Sequence, residues 1–249
     1  MSKRHFISFG GPTANFHKRV YTICGEAIES KWFDEVKTFT DLDLKLDDDF
    51  WHKHGNFLET NTRGYGYWLW KPYIIYKTLM KMQTDDFLVY ADAGCSINIE
   101  GFARFQEYMG MLEKSSFGLI CFQLNGCREI QYTKREVLHY FDLPDNWIQS
   151  DQIMGTVIMI KKTSYTMALV EEWYNTASLY NLINDSKCME DSTFIDHRHD
   201  QSIFSMVVKK YQDNIPYLPT PIVIPDETFF HPNWKNGQNY PFWATRIKT

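Results

Sequence analysis

The sequence lacks most of the patterns that assign a chain to a function class at sight. Its five cysteines are scattered and form no CxxC pair, so we predict reduced thiols and neither a zinc site nor a disulfide framework. No apolar run approaches the ~18 residues of a membrane span, and the N-terminus shows no apolar region typical of a signal peptide. We therefore expect a cytoplasmic protein without a transmembrane segment, with peripheral membrane attachment through a partner or a lipid-linked substrate as the alternative.

A basic surface is also missing. The chain has 31 acidic and 26 basic residues and a net charge of −5, so nucleic acid is not an expected partner. No GxGxxG turn is present, which argues against a dinucleotide-dependent oxidoreductase. A sugar nucleotidyltransferase would need a glycine-rich loop with an arginine soon after the first strand, whereas GGPTANFHKR has two glycines and a distant Arg19.

The chain does contain enough apolar material for a core, with 44% hydrophobic and 16% aromatic residues. Short apolar runs alternate with stretches of helical periodicity, which is typical of α/β folds. The run 87–91 is unbroken rather than alternating, and this predicts a strand covered on both faces, as in parallel sheets. We predict one α/β domain over residues 1–249, with a mostly parallel central sheet flanked by helices.

Local signals place the elements of this domain. The predicted strands cover residues 5–9, 87–91, 117–122 and 153–160, and the predicted helices cover 16–30, 133–141, 164–180 and 201–211. A further helix carries Pro72 in its first turn, and the helix from 133 opens on capping-box spacing in TKRE. From Asn214 onward six prolines predict an extended segment laid over the body.

The acidic segment DLDLKLDDDF, residues 41–50, is predicted to be a solvated loop, as most charge runs are. A calcium site is the competing interpretation. The glycine and the glutamate of an EF-hand loop are missing from the segment, which argues against calcium.

The most informative position is Asp92 in FLVYADAGCS, because it ends the predicted buried strand. In open α/β sheets, ligands bind beyond the carboxyl ends of strands, and Ala93 and Gly94 leave room for a ligand to approach the backbone. A carboxylate there suits a hard divalent cation that bridges to substrate phosphates. An aspartate that caps the following turn explains the same residue, and position alone leaves both interpretations open.

Four stretches in order, GYGYWLWKPYII, VYADAGCSI, QIMGTVIMIKK and HRHDQSIFS, resemble nucleotide-sugar glycosyltransferases of the GT-A type. They are most similar to a branch found in microbial and viral polysaccharide loci. In that family a helix bearing a basic residue leads to a strand ending in an aspartate–any–aspartate motif. The resemblance covers the chain from the first strand to about His231 and implies a GT-A fold with a donor half at about 1–100 and an acceptor half at about 101–249.

The resemblance implies a donor site and a metal site. Donor contacts are expected from Gly10, Gly11, Thr13, Lys71, Asp92, Ala93, Gly94 and Gln201. The implied cofactor is a divalent cation, Mn²⁺ or Mg²⁺, held by Asp92 and by His231, which resembles the C-terminal histidine that often supplies a ligand in retaining members. Gly94 stands where the family has its second aspartate, so the metal site is either weaker here or completed elsewhere.

Three further polar residues are catalytic candidates by the same resemblance. Asp200 matches an aspartate at the sugar or acceptor side of the site, and an N-cap of the following helix explains it equally well. Asp151 and Gln152 enter a strand that lies near the transferred sugar in the family, and a strand-entry turn is the alternative. His197 and His199 lack a third metal ligand at suitable spacing, so we interpret them as packing or acceptor contacts.

The function implied is metal-assisted transfer of a hexose or deoxyhexose from a nucleotide-diphosphate sugar, with a UDP-sugar expected first, to a glycan or lipid-linked glycan acceptor. Retention at the anomeric carbon is favoured by the histidine ligand. A non-catalytic or degenerate sugar- or nucleotide-binding protein is the alternative, because Gly94 stands where the family has its second aspartate. Fold-level analogy does not decide between them.

Overall fold

The structure is a computed structural model, and it describes residues 2–186, 191–213, 218–225 and 237–245. The strands in these ranges are β1 (Arg4–Phe9), β2 (Glu35–Phe39), β3 (Phe87–Ala91), β4 (Ser96–Ile97), β5 (Leu119–Arg128), β6 (Asp151–Ile153), β7 (Val157–Lys161), β8 (Ile222–Pro225) and β9 (Phe242–Trp243). Seven of them form one sheet in the order β2-β1-β3-β7-β5-β6, with β8 also paired to β5. The sheet therefore joins the N-terminal and C-terminal parts of the chain.

The sheet is mixed, with five of its seven strands running in one direction. β1 pairs in parallel with β2 and β3, and β5 pairs in parallel with β8, whereas β7 is antiparallel to both β3 and β5, and β6 is antiparallel to β5. Only β6 and β7 run against the rest. The predicted α/β class with a mostly parallel sheet is confirmed in this sense.

Helices cover both faces of the sheet. They are α1 (Ala14–Ser30), α2 (Asp41–Lys45), α3 (Asp48–Thr60), α4 (Gly64–Tyr67), α5 (Trp70–Lys81), α6 (Phe102–Lys114), α7 (Glu129–Tyr132), α8 (Arg135–Phe141), α9 (Asp145–Ile148), α10 (Ser164–Ala177), α11 (Tyr180–Ile183) and α12 (His199–Asp213). Leu88 and Tyr90 of β3 belong to one buried cluster, and Phe87, Val89 and Ala91 belong to a second one. Alternate residues of a strand point to opposite faces, so this fully apolar strand is buried on both sides, as predicted.

The acidic segment 41–50 is helical, and the loop prediction for it was wrong. Asp43 Oδ2 accepts hydrogen bonds from the backbone N–H and the hydroxyl of Thr40, which closes the start of α2. Asp47 precedes α3, and its Oδ1 accepts from the Phe50 N–H at 3.3 Å. Carboxylates are favoured at helix N-termini because free N–H groups and the helix dipole meet there. Asp43 and Asp47 therefore close the starts of two helices, which bury Leu44, Phe50 and Leu58.

Two other predicted elements are divided differently in the structure. The run 153–160 is split between β6 and β7, with Met154 to Thr156 between them. The helix predicted from Thr133 begins at Arg135, and the Thr133 hydroxyl donates to Glu129 instead of capping the helix. In both cases a buried polar contact overrides the local sequence signal.

The described parts of the proline-rich C-terminal segment are extended. β8 adds a strand to the main sheet, and β9 pairs with β4, which follows Asp92 closely in the chain. The Thr245 hydroxyl donates to the Gly94 carbonyl at 3.2 Å. The end of the described chain is thereby tied to the loop after β3. Among the described residues, no helix combines the length and apolarity needed to cross a bilayer.

The capping of α3 makes a testable prediction. Replacement Asp47→Ala should lower the free energy of unfolding by about 1 kcal/mol, the usual value of an N-cap side chain, as measured by urea denaturation. Asp47→Asn is the matched control, since asparagine caps as well as aspartate but cannot pair with Lys77, whose Nζ lies 3.0 Å from Asp47 Oδ2. An equal loss in both variants would mean that the ion pair, and not the cap, stabilises this corner.

Candidate active site

The chain reaches the first turn of α5 through a strained turn. Five consecutive residues, Gly64 to Trp68, have positive φ, and three of them carry aromatic side chains. Each non-glycine residue in this region costs ~1–2 kcal/mol, so the surrounding structure must compensate for the strain. A Cβ on Gly64 would lie 2.3 Å from the Trp68 ring. The turn therefore requires its glycines, and it sets the direction in which α5 begins.

Stacked rings hold this turn in place. The ring of Tyr67 stacks on His199 with a centroid distance of 4.7 Å, and Trp68 lies 5.6 Å from the same ring. His199 itself has a φ of 49°. The Phe9 ring, at the end of β1, stacks on Trp70 at 3.8 Å. Two strained segments, one before α5 and one at the start of α12, are thus packed against each other.

Lys71 and Asp200 follow these two segments, and their side chains meet. Lys71 Nζ lies 2.8 Å from Asp200 Oδ2 and 3.1 Å from Asp92 Oδ1, and it donates to the Gly155 carbonyl at 3.2 Å. Lys71 is 3% exposed and Asp200 is 4% exposed. The opposite charges of these two side chains hold the buried pair together. We call Lys71, Asp92 and Asp200 the lysine cluster.

The pKa values of the cluster follow from burial and charge. Burial alone would lower the pKa of Lys71, but the charges of Asp200 and Asp92 outweigh it and the net shift is upward. Burial raises the pKa of Asp200 to about 6, against the opposing effect of Lys71. The charged form is favoured at Lys71 and disfavoured at Asp200. The reason is that Lys71 faces two carboxylates, whereas Asp200 faces one ammonium group and is repelled by Asp92. At neutral pH Lys71 is therefore positively charged and Asp200 is mostly negatively charged.

Asp92 is the member of the cluster that faces solvent. Its side chain is 32% exposed, and its Oδ1 accepts a 2.6 Å hydrogen bond from the Tyr90 hydroxyl. The backbone is held too, because the Asp92 N–H donates to the Thr156 carbonyl at 2.9 Å. Oδ2 has no hydrogen bond or ion pair within the ranges that the structure describes. One carboxylate oxygen is therefore anchored, and the other is available to a ligand.

The metal prediction can be compared with this geometry only in part. The described ranges contain no group of three or more histidine, cysteine, aspartate or glutamate side chains placed to hold a metal ion. His231 lies outside the described residues. A cation held by Asp92 Oδ2 would need most of its ligands from water and from a bound phosphate, as Mg²⁺ commonly has. A metal site at Asp92 therefore stays a prediction.

The predicted donor contacts after β1 lie at the same edge of the sheet as Asp92. Parallel pairing of β1 with β3 brings their carboxyl ends together. A Cβ on Gly10 would lie 2.1 Å from the Phe16 carbonyl oxygen, and one on Gly11 would lie 2.6 Å from Asp41 Oδ1. Thr13 caps α1, with its hydroxyl 3.5 Å from the Phe16 N–H. The two glycines are explained by close packing of α1 and of Asp41, and a donor contact from this loop stays a prediction.

Gln201 and Gln152 lie behind the lysine cluster. Gln201 Oε1 accepts from the Gly155 N–H at 3.1 Å, and its Nε2 donates to Gln152 Oε1 at 2.6 Å. Gln152 is fully buried. Gln201 thus bonds the N–H of Gly155, the residue whose carbonyl accepts from Lys71, and this is an indirect connection to the cluster.

Asp151 is separate from the cluster. Its Oδ2 accepts from the Gly126 N–H at 3.1 Å, which supports the strand-entry interpretation, and no contact joins it to Lys71, Asp92 or Asp200 among the described residues. His197 and His199 are buried and hydrogen-bond the carbonyls of Leu182 and Ile183, at 2.9 and 2.7 Å. Their burial and these bonds support packing, one of the two interpretations made from the sequence.

Sequence reasoning missed two residues of the site. Tyr90 anchors Asp92, and its position two residues earlier on an extended chain was an available signal, since residues i and i+2 share a face. Gly155 supplies the carbonyl for Lys71 from within a run that looked like one continuous strand. No local signal marks that carbonyl.

A separate cavity of about 360 Å³ lies between α5 and the edge of the sheet formed by β1 and β2. Lys37, Lys77 and Lys81 are among its lining residues, but no member of the lysine cluster is. The cluster is thus not enclosed by this cavity, and it reaches solvent through the exposed face of Asp92.

Known proteins resemble this chain in structure and not in overall sequence. No family model matches the chain, and no curated protein matches it. Two solved structures are similar over most of the chain. Mouse xyloside xylosyltransferase 1 in its apo form has 11% identity, coverage of 98% of this chain and 97% of that chain, and a TM-score of 0.45. A glycosyltransferase involved in the glycosylation of the major capsid of PBCV-1 has 11% identity, coverage of 97% and 91%, and a TM-score of 0.49. At these scores neither likeness establishes a fold family or an activity for this chain.

Proposed function

We propose that the chain is a glycosyltransferase that moves a sugar from a nucleoside-diphosphate donor, a UDP-sugar in the first instance, to a glycan or lipid-linked glycan. The observation that supports this best is the lysine cluster at the carboxyl end of β3. It combines a buried ammonium group with a carboxylate that faces solvent at the sheet edge where α/β proteins bind ligands. The sequence motifs that resemble GT-A transferases contain all three residues of the cluster.

The charge of the cluster supports a divalent cation as part of the donor complex. With Lys71 at +1 and two ionised carboxylates, the cluster carries a net charge of −1 and would repel a diphosphate. Asp92 would hold a Mn²⁺ or Mg²⁺ ion, whose charge would offset that of the carboxylates and which would supply Lewis-acid stabilisation of the leaving phosphate. Gly94 offers no second carboxylate, so we infer that affinity for the metal depends on the donor.

We assign to Lys71 the role of stabilising the leaving group. As the bond between the anomeric carbon and the diphosphate breaks, negative charge grows on the phosphate oxygen, and a fixed ammonium group stabilises it without reorganisation. Asp200 and the Gly155 carbonyl hold that ammonium group in position. Retention of configuration is part of the proposal through His231, the ligand implied by the sequence resemblance.

A sugar- or nucleotide-binding protein without turnover is the second candidate. The observation that favours it is Gly94 in place of a carboxylate, since one aspartate alone binds a metal weakly. Both candidates bind a nucleotide sugar at Asp92, and they differ only in whether the nucleoside diphosphate is released. Turnover therefore separates the two.

Thermal unfolding across a panel of UDP-, GDP- and TDP-sugars, with and without Mn²⁺, tests the donor site first. We expect a metal-dependent shift with one nucleotide, and a ligand at ~100 times its Kd stabilises the folded state by ~2.7 kcal/mol. Asp92→Asn can still accept a hydrogen bond from Tyr90, and it should lose the metal-dependent part of the shift in unfolding temperature. Glu113→Gln, an exposed residue near the end of α6, makes the same change in charge and should behave as the wild type. No shift with any nucleotide would contradict the donor site.

Removal of the ammonium group tests the role of Lys71. Lys71→Met should lower kcat for release of nucleoside diphosphate by about 10²–10³-fold, the range seen when one group that stabilises transition-state charge is lost. The double variant Lys71→Met/Asp200→Asn leaves no buried carboxylate unpaired, and it should fold and be equally slow. A folded double variant with wild-type kcat would overturn the assignment.

Ionisation of Asp200 should appear in the pH dependence. Because its pKa is raised to about 6, a falling pH protonates it through that value and removes the charge that holds Lys71. We expect kcat/KM, which reports the free enzyme, to fall on the acid side with a midpoint near 6. In Asp200→Asn, kcat/KM should be lower than in the wild type at neutral pH and should not decline near pH 6. A midpoint near 6 that persists in Asp200→Asn would assign the titration to another group.

A further inference from the structure

The cavity of about 360 Å³ between α5 and the β1–β2 edge of the sheet takes no part in the proposed chemistry. Pockets that bind small molecules usually have volumes of about 300–1,000 Å³, so this one is large enough for a ligand. Buried apolar side chains, those of Ile7, Leu44 and Ile74, form part of its lining. We call it the edge cavity.

Three lysines from two elements also line the edge cavity. Lys37 lies on β2, and Lys77 and Lys81 lie four residues apart on α5, so they share one side of that helix. Lys77 is paired, since its Nζ lies 3.0 Å from Asp47 Oδ2. Among the residues that the structure describes, neither Lys37 nor Lys81 has a carboxylate within ion-pair distance. The described chain therefore leaves two ammonium groups of the cavity without a counter-ion.

The acidic side chains of the lining have other partners. Glu35 Oε1 accepts from Lys3 Nζ at 2.6 Å, and Asp47 is paired with Lys77. Asp43 Oδ2 accepts two hydrogen bonds at the start of α2. Each of these three carboxylates is therefore engaged at the rim of the cavity, and none of them forms an ion pair with the two remaining lysines.

The charges of the two unpaired lysines oppose each other. Partial burial is the main cause that lowers the pKa of Lys37; the charge of Asp43 raises that pKa, and the charge of Lys81 lowers it further. Lys37 Nζ lies 4.1 Å from the centroid of the Phe39 ring, a cation–π contact that takes the place of an ion pair. An anion between Lys37 and Lys81 would remove their repulsion, so the cavity favours a negatively charged ligand.

An exposed apolar side chain continues the lining to the surface. Leu46, which follows α2, is 83% exposed and lines the cavity. A single exposed leucine is ordinary on a protein surface, but this one extends an apolar lining that Leu44 and Ile74 form inside. A ligand in contact with both the ammonium groups and this lining needs an apolar part beside its charge.

We propose that the edge cavity binds a phosphate monoester with an apolar body, the phosphate between Lys37 and Lys81 and the body against Leu44, Leu46 and Ile74. A phosphate monoester carries a charge of about −1.5 to −2 at pH 7, which matches two ammonium groups, whereas a carboxylate or a phosphodiester brings a single charge. Its source is a soluble phosphate ester or a lipid headgroup, which present the same group. The site shares no residue with the lysine cluster and does not rest on the proposed transferase function.

Isothermal titration calorimetry with hexyl phosphate and with inorganic phosphate tests the site. We expect hexyl phosphate to bind the wild type about tenfold more tightly than inorganic phosphate, as burial of about two methylene groups would give. Lys37→Met/Lys81→Met should weaken the binding of both probes by about tenfold or more, because each lysine supplies hydrogen bonds to a charged group. Leu46→Ser should weaken the binding of hexyl phosphate alone.

The matched control is Lys31→Met/Lys114→Met, which removes two exposed lysines outside the lining. It makes the same change in net charge and should bind both probes as the wild type does. Equal losses in the two double variants would overturn the proposal, since net charge alone would then explain the binding. Lys37→Met/Lys81→Met should fold, because both side chains are exposed, and it should keep any thermal shift that a nucleotide sugar gives. If no nucleotide sugar binds the wild type, the proposed function fails, but the calorimetry still tests the edge cavity.

Vesicles distinguish the two sources of the phosphate. The protein is sedimented with phosphatidylcholine vesicles that contain or lack phosphatidic acid, a lipid phosphate monoester. Binding that requires phosphatidic acid and is lost in Lys37→Met/Lys81→Met would support a lipid ligand. Binding of hexyl phosphate without binding of vesicles would support a soluble ester. If the folded wild type binds neither hexyl phosphate nor these vesicles, or if the lysine variant binds them equally well, the proposal is wrong.

Discussion

The arrangement of this site depends on one electrostatic constraint, a lysine ammonium group that is almost completely buried. An isolated buried charge would lose its proton or disrupt the fold, so Lys71 requires carboxylates within ion-pair distance. Asp92 comes from the end of β3 and Asp200 from the start of α12. Their convergence joins the two parts of the chain at one point, and the antiparallel strand β7 brings the Gly155 carbonyl to the same place.

Strain in the backbone is the cost of that convergence. The left-handed turn at residues 64–68 and the positive φ of His199 immediately precede the two buried partners. The aromatic side chains of the turn stack on the His199 ring, so the packing energy of one strained segment stabilises the other. An isolated GYGYW peptide would lack the contacts that compensate for this strain, among them the stacked rings and the hydrogen bond from the Gly66 N–H to the Asn61 carbonyl at 2.7 Å. The aromatic motif is thus part of the site's framework.

Sequence reasoning reached the three charged residues of the cluster because each follows a strong local signal. The unbroken apolar run before Asp92, the helix that starts near Pro72 and the motif around Asp200 are all visible in one dimension. The sequence could not reveal that an apolar run breaks at Met154 to Thr156, since the break depends on partners far along the chain. The same reason explains the acidic segment, where aspartates that suggest solvent exposure cap two short helices. Long-range polar contacts have no periodicity, so pattern analysis misses them.

The lysine cluster combines two buried groups with one that reaches solvent. Lys71 and Asp200 are almost fully buried, whereas the Asp92 side chain is 32% exposed. The Asp92 oxygen that pairs with Lys71 also accepts a hydrogen bond from the Tyr90 hydroxyl, so the exposed carboxylate is held from inside the protein through one oxygen only. A ligand that bound the other oxygen would therefore change the charge around Lys71 without displacing the contacts that hold its ammonium group in place.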